Sequence, residues 1–593
     1  MIDPRIYRAA LVPVLLGFVL LAFSLENRPQ PMRTSIPPDA FRGDRAFDRA
    51  YASGTGLSQR FPDRRPGSDA DNRLAAEVAT QMRAADFRVR TVQREADTID
   101  GRQSLRTVIA QRPGTIDEQI VVVAHRDAAG RRAEAELSGT ATLLELTRVL
   151  GGVAARHTLT LVSTSGGSGG AAGAAELAHE LSGLPVGAVL VLGDVASRTV
   201  RAPLVTPWSN ALGASPQRLR ATVQEAVRVE TGSGSGPPRA LSQFARFALP
   251  ATFGEQGALL ARGLPAVLLS IGGDAPPRTE APISRERLEA FGRAALRTVT
   301  ALDAVAPERP ILSETSSRDL LTSRKIVPAW AITLFTGALL LTVLLTVVDA
   351  LAALLRRRER VAVWLGWTLA GALPFVLTAL FALLLGAVGL LDAPGAPVPP
   401  DALPASLPAL LAVALVFTLG WVWLRPTAVR LLRADTADRA EPGAGIVVVL
   451  VAAVTATVVW IANPYAAALL IPALHVWLFA LAPDLRMGRA LRLSVVVLGA
   501  LPVVVVAVAL ARSLGLGPVD AAWELVLLTA GGHVSPLSVL LWSIVAGCGV
   551  SALLVAAHGH TPAGEDEIPI TVRGPKTYAG PGSLGGTESA LRR

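Results

Sequence analysis

Seven apolar runs in the second half of the chain limit its fold more than any other feature. They lie at about Val327 to Val348, Ala362 to Leu391, Ser406 to Leu424, Gly445 to Ile461, Tyr465 to Leu481, Leu493 to Leu510 and Pro536 to Ala557, each of spanning length. An eighth run, Ala9 to Leu25, follows Arg5 and Arg8 near the N-terminus. The residues behind it, Glu26-Asn27-Arg28-Pro29, show no small-x-small cleavage pattern. The run therefore reads as an uncleaved signal anchor, with a cleaved signal peptide as the competing reading. At 51% hydrophobic residues and a mean hydropathy of +0.45, the 593-residue chain is expected to be a multi-pass protein of the plasma membrane.

The loops indicate orientation. Arg356, Arg357, Arg358 and Arg360, then Arg425, Arg430, Arg433 and Arg439, then Arg486, Arg489 and Arg492 cluster in alternate loops. The loops Asp392 to Ala405 and Ala462-Asn463-Pro464 hold no Lys or Arg. Because cytoplasmic loops carry the basic excess, both termini are expected inside and residues 27–325 outside. Arg324-Lys325 and Arg512 dissent. The net charge of +9 is read as this topology signal, with the lipid bilayer as partner and no nucleic acid. The expected division is an anchor at 1–26, an exported domain at 27–325, seven helices at 326–557 and a disordered cytoplasmic tail at 558–593. The stretch Ala521 to Ala530, with Trp523 and Glu524, is expected to lie in the interface or to re-enter. Trp330 and Trp421 read as interfacial anchors. Asn463, His475 and Glu524 are the few polar groups at membrane depth, and transport is one alternative reading of the chain.

No apolar run between Asn27 and Lys325 is long enough to cross a bilayer. Within it the β-branched run Ile120 to Val123 ends in His125-Arg126-Asp127, and Ser138-Gly139-Thr140 opens a helix with Leu143, Leu144, Leu146 and Leu150 on its apolar side. Further strands are expected at His157 to Val162, Gly187 to Leu192 and Ala266 to Leu269. Helices are expected at about Asp71 to Ala85, Pro216 to Val227 and Ser284 to Val305, and a flexible loop at Val229 to Pro238. The alternation predicts an α/β domain with a mostly parallel sheet covered on both faces, followed by an all-α transmembrane domain. The single cysteine, Cys548, excludes an intrachain disulfide and a Cys-based zinc site.

Open α/β sheets carry their sites outside the carboxyl ends of strands, which is where His125 and Asp127 fall. This stretch resembles the family-28 (clan MH) di-zinc aminopeptidases, in which a strand ends in His-x-Asp and a later Asp-Asn-x-Ser-Gly supplies a metal-bridging carboxylate. The segment Pro66-Gly67-Ser68 followed by a helix and a strand resembles the opening of that family in the same order. The resemblance implies that His125 would bind zinc and Asp127 would orient it. It places the bridging carboxylate on Ala135, although Ser138-Gly139 match the end of that motif. It places the paired glutamates of the glycine-rich loop on Gly167 and Ser168, a further Asp ligand on Asp194 and a final His ligand on Gln256.

The remnant of the site is then His125, Asp127 and Asp194, and Ala135, Gly167, Ser168 and Gln256 are its degenerate positions. Catalytic zinc needs about three protein ligands, an open water position and a base. His125 and Asp194 could hold at most one weak ion, and Glu134 or Glu136 would bridge only from a shifted position. A pseudo-peptidase without catalytic residues or cofactor is expected, zinc entering only if the chain is an active aminopeptidase. Ser168 in Gly166-Gly167-Ser168-Gly169-Gly170 fits G-x-S-x-G, but the one histidine downstream in this domain is His179, on the helix that leaves the same loop. His157 and His179 read as solvated residues. The layout of anchor, peptidase-like domain and seven spans is similar to the attachment subunit of the glycosylphosphatidylinositol transamidase. The Ala-, Arg- and Gly-rich composition suggests a bacterial chain. The expected role is binding or scaffolding at the cell envelope, with a peptide terminus or an envelope protein as partner.

Overall fold

The computed structural model describes residues 4–36, 54–200, 203–234, 239–274, 281–434, 442–482 and 487–558. Two sheets are present among them. β1 (Glu26–Asn27), β9 (Leu320–Leu321) and β10 (Lys325–Val327) form a small antiparallel sheet in the order β1-β10-β9. The large sheet contains β2 (Arg88–Thr98), β3 (Gly101–Arg112), β4 (Ile116–His125), β5 (His157–Thr164), β6 (Val186–Leu192), β7 (Val205–Thr206) and β8 (Ala266–Leu269), in the order β2-β3-β5-β4-β6-β8-β7.

The sheet is less parallel than the sequence pattern suggests. β5, β4, β6 and β8 run parallel, but β2–β3, β3–β5 and β8–β7 are antiparallel. β2 and β3 follow one another through a tight turn that closes on Gly101 at φ +74°, and a turn that short can only join antiparallel strands. The central strands are apolar on both sides because helices cover both. Ile120, Val122 and Ala124 pack with the Asp69–Ala84, Glu134–Gly151, Gln217–Thr231 and Arg285–Asp303 helices, and Val121 and Val123 with the Ala172–Glu180 and Glu255–Ala261 helices.

Three boundaries move for identifiable reasons. The helix expected to open at Ser138 begins a turn earlier, at Glu134. Ser138 and Gly139 are therefore inside it, and a Cβ on Gly139 would stand 2.6 Å from the Leu192 carbonyl oxygen, so this glycine serves close packing of helix on strand. The Gln217–Thr231 helix runs into the expected flexible loop and ends on Gly232 at φ 68°. Residues 235–238 of that loop lie outside the described residues. Ser68 caps the Asp69–Ala84 helix, its hydroxyl accepting from the Asp71 amide.

Seven described helices are long and apolar enough to cross a membrane: Pro4–Phe23, Ala329–Arg356, Val361–Ala387, Leu407–Leu431, Gly443–Ala462, Arg489–Leu514 and Pro536–His558. The eighth expected span is the 17-residue helix Pro464–Ala480, with Pro472 inside it. The Val361–Ala387 span is two helices that break at Gly371-Ala372, where Gly547 packs against the backbone. The stretch expected to lie in the interface or to re-enter is the helix Pro518–Ala530. The expected tail, beyond His558, lies outside the described residues, as do Arg439 and Arg486.

The sheet domain and the apolar helices share a core. Trp208, Phe247 and Ala248 cluster with Ile332, Tyr465, Leu469 and Val506, and Asn463 Nδ2 donates to the Phe247 carbonyl at 2.8 Å. The loop between the Leu373–Ala387 and Leu407–Leu419 helices reaches the glycine-rich loop that follows β5: a Cβ on Gly170 would stand 2.6 Å from Pro394.

Candidate functional site

His125 closes β4 in register with Thr164 at the end of β5, so the carboxyl ends of the parallel strands open onto one pocket. Its walls include His125, Glu136, Gly167, Ser168, Asp194 and Glu255, and Pro399 of the 392–405 loop adds one side. The cavity is about 50 Å³. That is room for a water or a small charged head, not for a side chain of any length.

Of the residues the family resemblance picks out, His125, Asp194, Gly167 and Ser168 meet here. Asp127 lies beside them and is fully buried, but both of its oxygens are taken by the glycine-rich loop. Oδ1 accepts from the Gly167 amide at 3.0 Å, and Oδ2 accepts from the Ser168 amide and hydroxyl at 3.0 and 2.6 Å. Asp127 is thus the clamp of the loop. Gly167 holds its place because His125 fills the adjoining space: a Cβ there would fall 2.4 Å from His125 Cβ.

Gln256 does not reach the pocket. It is fully buried, and its amide nitrogen donates to the Trp208 carbonyl at 3.3 Å and to Thr252 Oγ1 at 2.9 Å. Its neighbour Glu255 takes the pocket position, with Oε1 accepting from Thr164 Oγ1 at 2.6 Å and Oε2 3.6 Å from His125 Nδ1. Sequence reasoning missed Glu255, although a carboxylate at a helix start within the apolar ATFGEQGALLA was a visible signal. Ala135 is a buried methyl in the core. Of its two flanking glutamates, Glu134 accepts from Ser58 Oγ at 3.4 Å and Glu136 faces the pocket.

The electrostatics follow from this packing. Burial works against a charge on His125, but the Glu255 carboxylate, with Asp127 and Glu136, carries its pKa up to about 9. Burial pushes Glu136 up to about 7 against the pull of His125 and Arg64. Asp194 is also raised by burial, while Oδ1 accepts from the Ala196 and Ser197 amides at 3.0 and 2.9 Å. One oxygen on each of Glu136, Asp194 and Glu255 is buried without a hydrogen-bond partner.

Among the described residues no group of three or more His, Cys, Asp or Glu side chains is placed to hold a metal ion. Ala135 is buried in the core, Gly167 has no side chain and both Asp127 oxygens are held by the loop, so the described residues do not fit a two-zinc centre. The histidine downstream of Ser168 in this domain is not brought to it: Ser168 donates to the Asp127 carboxylate, and His179 sits exposed beside Arg262 Nη1 at 3.2 Å. His157, expected to be solvated, is fully buried between Asp303 and Glu118, at 3.4 and 3.8 Å.

No family model matches the chain, and no curated protein matches it. Among solved structures it is similar to the zinc aminopeptidase of Bacillus subtilis, at 14% identity and a TM-score of 0.36 over 46% of this chain and 97% of that one. It is similar to a glutaminyl cyclase of an Acidobacteriales bacterium, at 18% identity and 0.35 over 46% and 99%. A third is a Zn-dependent exopeptidase of Parabacteroides distasonis, at 16% and 0.32 over 42% and 96%. These likenesses cover under half of the chain, and at such scores they carry nothing about its site.

Proposed function

We propose that the chain is a membrane-embedded binding protein whose α/β pocket receives a cationic group, the free amino terminus of a peptide, and does not hydrolyse it. One observation carries the reading: Glu136, Asp194 and Glu255 line one small cavity, and each has a buried carboxylate oxygen without a hydrogen-bond partner, the Glu255 oxygen being ion-paired with His125 at 3.6 Å. An unsatisfied buried acceptor costs free energy, and an ammonium group brings three donors. His125 offsets one of the three carboxylates, which leaves the cavity suited to a further positive charge. The basic loops support placing this domain outside the cell, at the envelope, and the order of anchor, α/β domain and apolar helices, similar to the transamidase attachment subunit, supports a presenting or scaffolding role.

The same orphaned oxygens favour a second reading, a metal-dependent aminopeptidase that takes its ion from ligands in a rearranged pocket. Full-length protein in detergent is titrated with a short peptide carrying either a free or an acetylated amino terminus. The free form is expected to bind at least about tenfold tighter, a difference that Glu136→Gln reduces. Equal binding of the two peptides removes the proposal. Near-stoichiometric zinc in the purified protein, lost on His125→Ala, replaces it with the peptidase.

A further inference from the structure

We propose that a second cavity, between the segment at Arg28 and the Gln217–Thr231 helix, binds a phosphate group. This cavity is about 330 Å³ and is lined by Arg28, Arg220, Arg228 and Glu225 among others. It is separate from the pocket at His125.

Arg220 lies near the start of the Gln217–Thr231 helix and is 8% exposed. Its Nε is buried without a partner, and no described carboxylate or carbonyl accepts from its guanidinium, which rests 5.8 Å from the Trp208 ring. Arg28 donates through Nη2 to the Thr322 carbonyl, while its Nε is likewise buried and unpartnered. Burial pulls the Arg220 pKa down to about 10, and the neighbouring Arg28 charge adds to the effect. Two guanidinium groups thus share a cavity and repel each other. The one lining carboxylate does not relieve them, because Glu225 accepts from Arg228 at 2.7 and 2.9 Å and stands 3.7 Å from Arg33.

A buried cation without a counterion is costly, and two beside each other are more so. A phosphate removes that cost, since it offers several acceptor oxygens to planar guanidinium donors that bind it in pairs. The cavity has room for the anion and several waters. Its place in the fold gives two sources for the phosphate. Arg28 follows the apolar Pro4–Phe23 helix, and β1 beside it pairs with β10, which leads into the apolar Ala329–Arg356 helix. A lipid headgroup at the level where both helices end would reach it, and so would free phosphate from solution.

The test uses delipidated full-length protein in detergent, with the thermal unfolding midpoint as readout. The probes are inorganic phosphate and, in mixed micelles, phosphatidylglycerol against diacylglycerol, which lacks the phosphate. At least one phosphate probe is expected to raise the midpoint, and Arg220→Gln is expected to abolish that rise while raising the midpoint of the probe-free protein. A rise with phosphatidylglycerol but not with inorganic phosphate identifies the headgroup as the source, and a rise with both identifies the free anion as sufficient. Arg28→Gln, on an extended segment, makes the same comparison should Arg220→Gln fail to accumulate. The proposal is overturned by no rise with either probe, by a rise that both variants keep, or by a probe-free midpoint that falls in Arg220→Gln.

Discussion

Glu136 is held where its charge is least welcome. Its pKa rises from the usual 4.5 to about 7 because burial outweighs the pull of His125 and Arg64. A carboxyl whose folded pKa lies above its unfolded one binds its proton more tightly in the folded state, so folding is penalised once the unfolded chain has ionised. The penalty is absent below about pH 4.5, grows as pH rises, and is complete above about 7. Glu136→Gln removes it. The variant is expected to unfold like the native protein at pH 4 and to be more stable at pH 8 by about 3 kcal/mol, from the size of the shift. Thermal unfolding at the two pH values checks this, and a variant less stable at pH 8 would show that the carboxylate is already satisfied. His125 works in the opposite window. Its pair with Glu255 contributes fully below about pH 6.5 and is lost as pH rises through about 9. A stabilising substitution that weakens peptide binding is what a binding site held at a cost in stability would give.

At the scale of elements, the Asp71–Arg126 pair joins the Asp69–Ala84 helix to the centre of the sheet. Both side chains are fully buried at 2.9 Å, and Arg126 also donates to the carbonyls of Arg106, Ser163 and Thr164, in β3 and β5. Arg126→Met leaves Asp71 as a buried charge without its counterion, and is expected to cost about 3–5 kcal/mol. The double variant Asp71→Asn with Arg126→Met is expected to recover part of that loss. Chemical denaturation of the four proteins checks the coupling, and strict additivity would show that the pair does not act as one. The strand cores were legible in the sequence because β4, β6 and β8 contain apolar runs and β5 alternates apolar residues with Thr, and His125 and Asp194 follow from where β4 and β6 end. The antiparallel arrangement of β2 and β3 was not, because β2 is a mostly polar edge strand without an apolar run, and the turn at Gly101 that sets its direction is marked only by Asp100-Gly101. Glu255 was missed for a related reason: one residue along a helix turns a side chain by about 100°, so a one-residue slip exchanged the pocket carboxylate for the core amide of Gln256.

In the molecule as a whole, the apolar helices of the second half also build part of the sheet domain's core. Phe247 stacks on Tyr465 at 4.9 Å and meets Trp208 edge-on at 6.0 Å, and Phe253 packs with Leu514. The turn Ala462-Asn463-Pro464 was legible as a tight connection, yet nothing in it reveals that Asn463 binds the Phe247 carbonyl, because the contact spans 216 residues of sequence. Cutting the chain at the boundary near Lys325 would leave Trp208, Phe247 and Phe253 without their helix partners, as one exposed apolar face. Residues 27–325 produced alone are therefore expected to self-associate and to bind a hydrophobic dye, and Phe247→Ser with Phe253→Ser to reduce both. Size-exclusion chromatography with dye fluorescence measures this. A monomeric, dye-silent fragment would mean that the face closes on itself and that the helices contribute nothing the sheet domain needs.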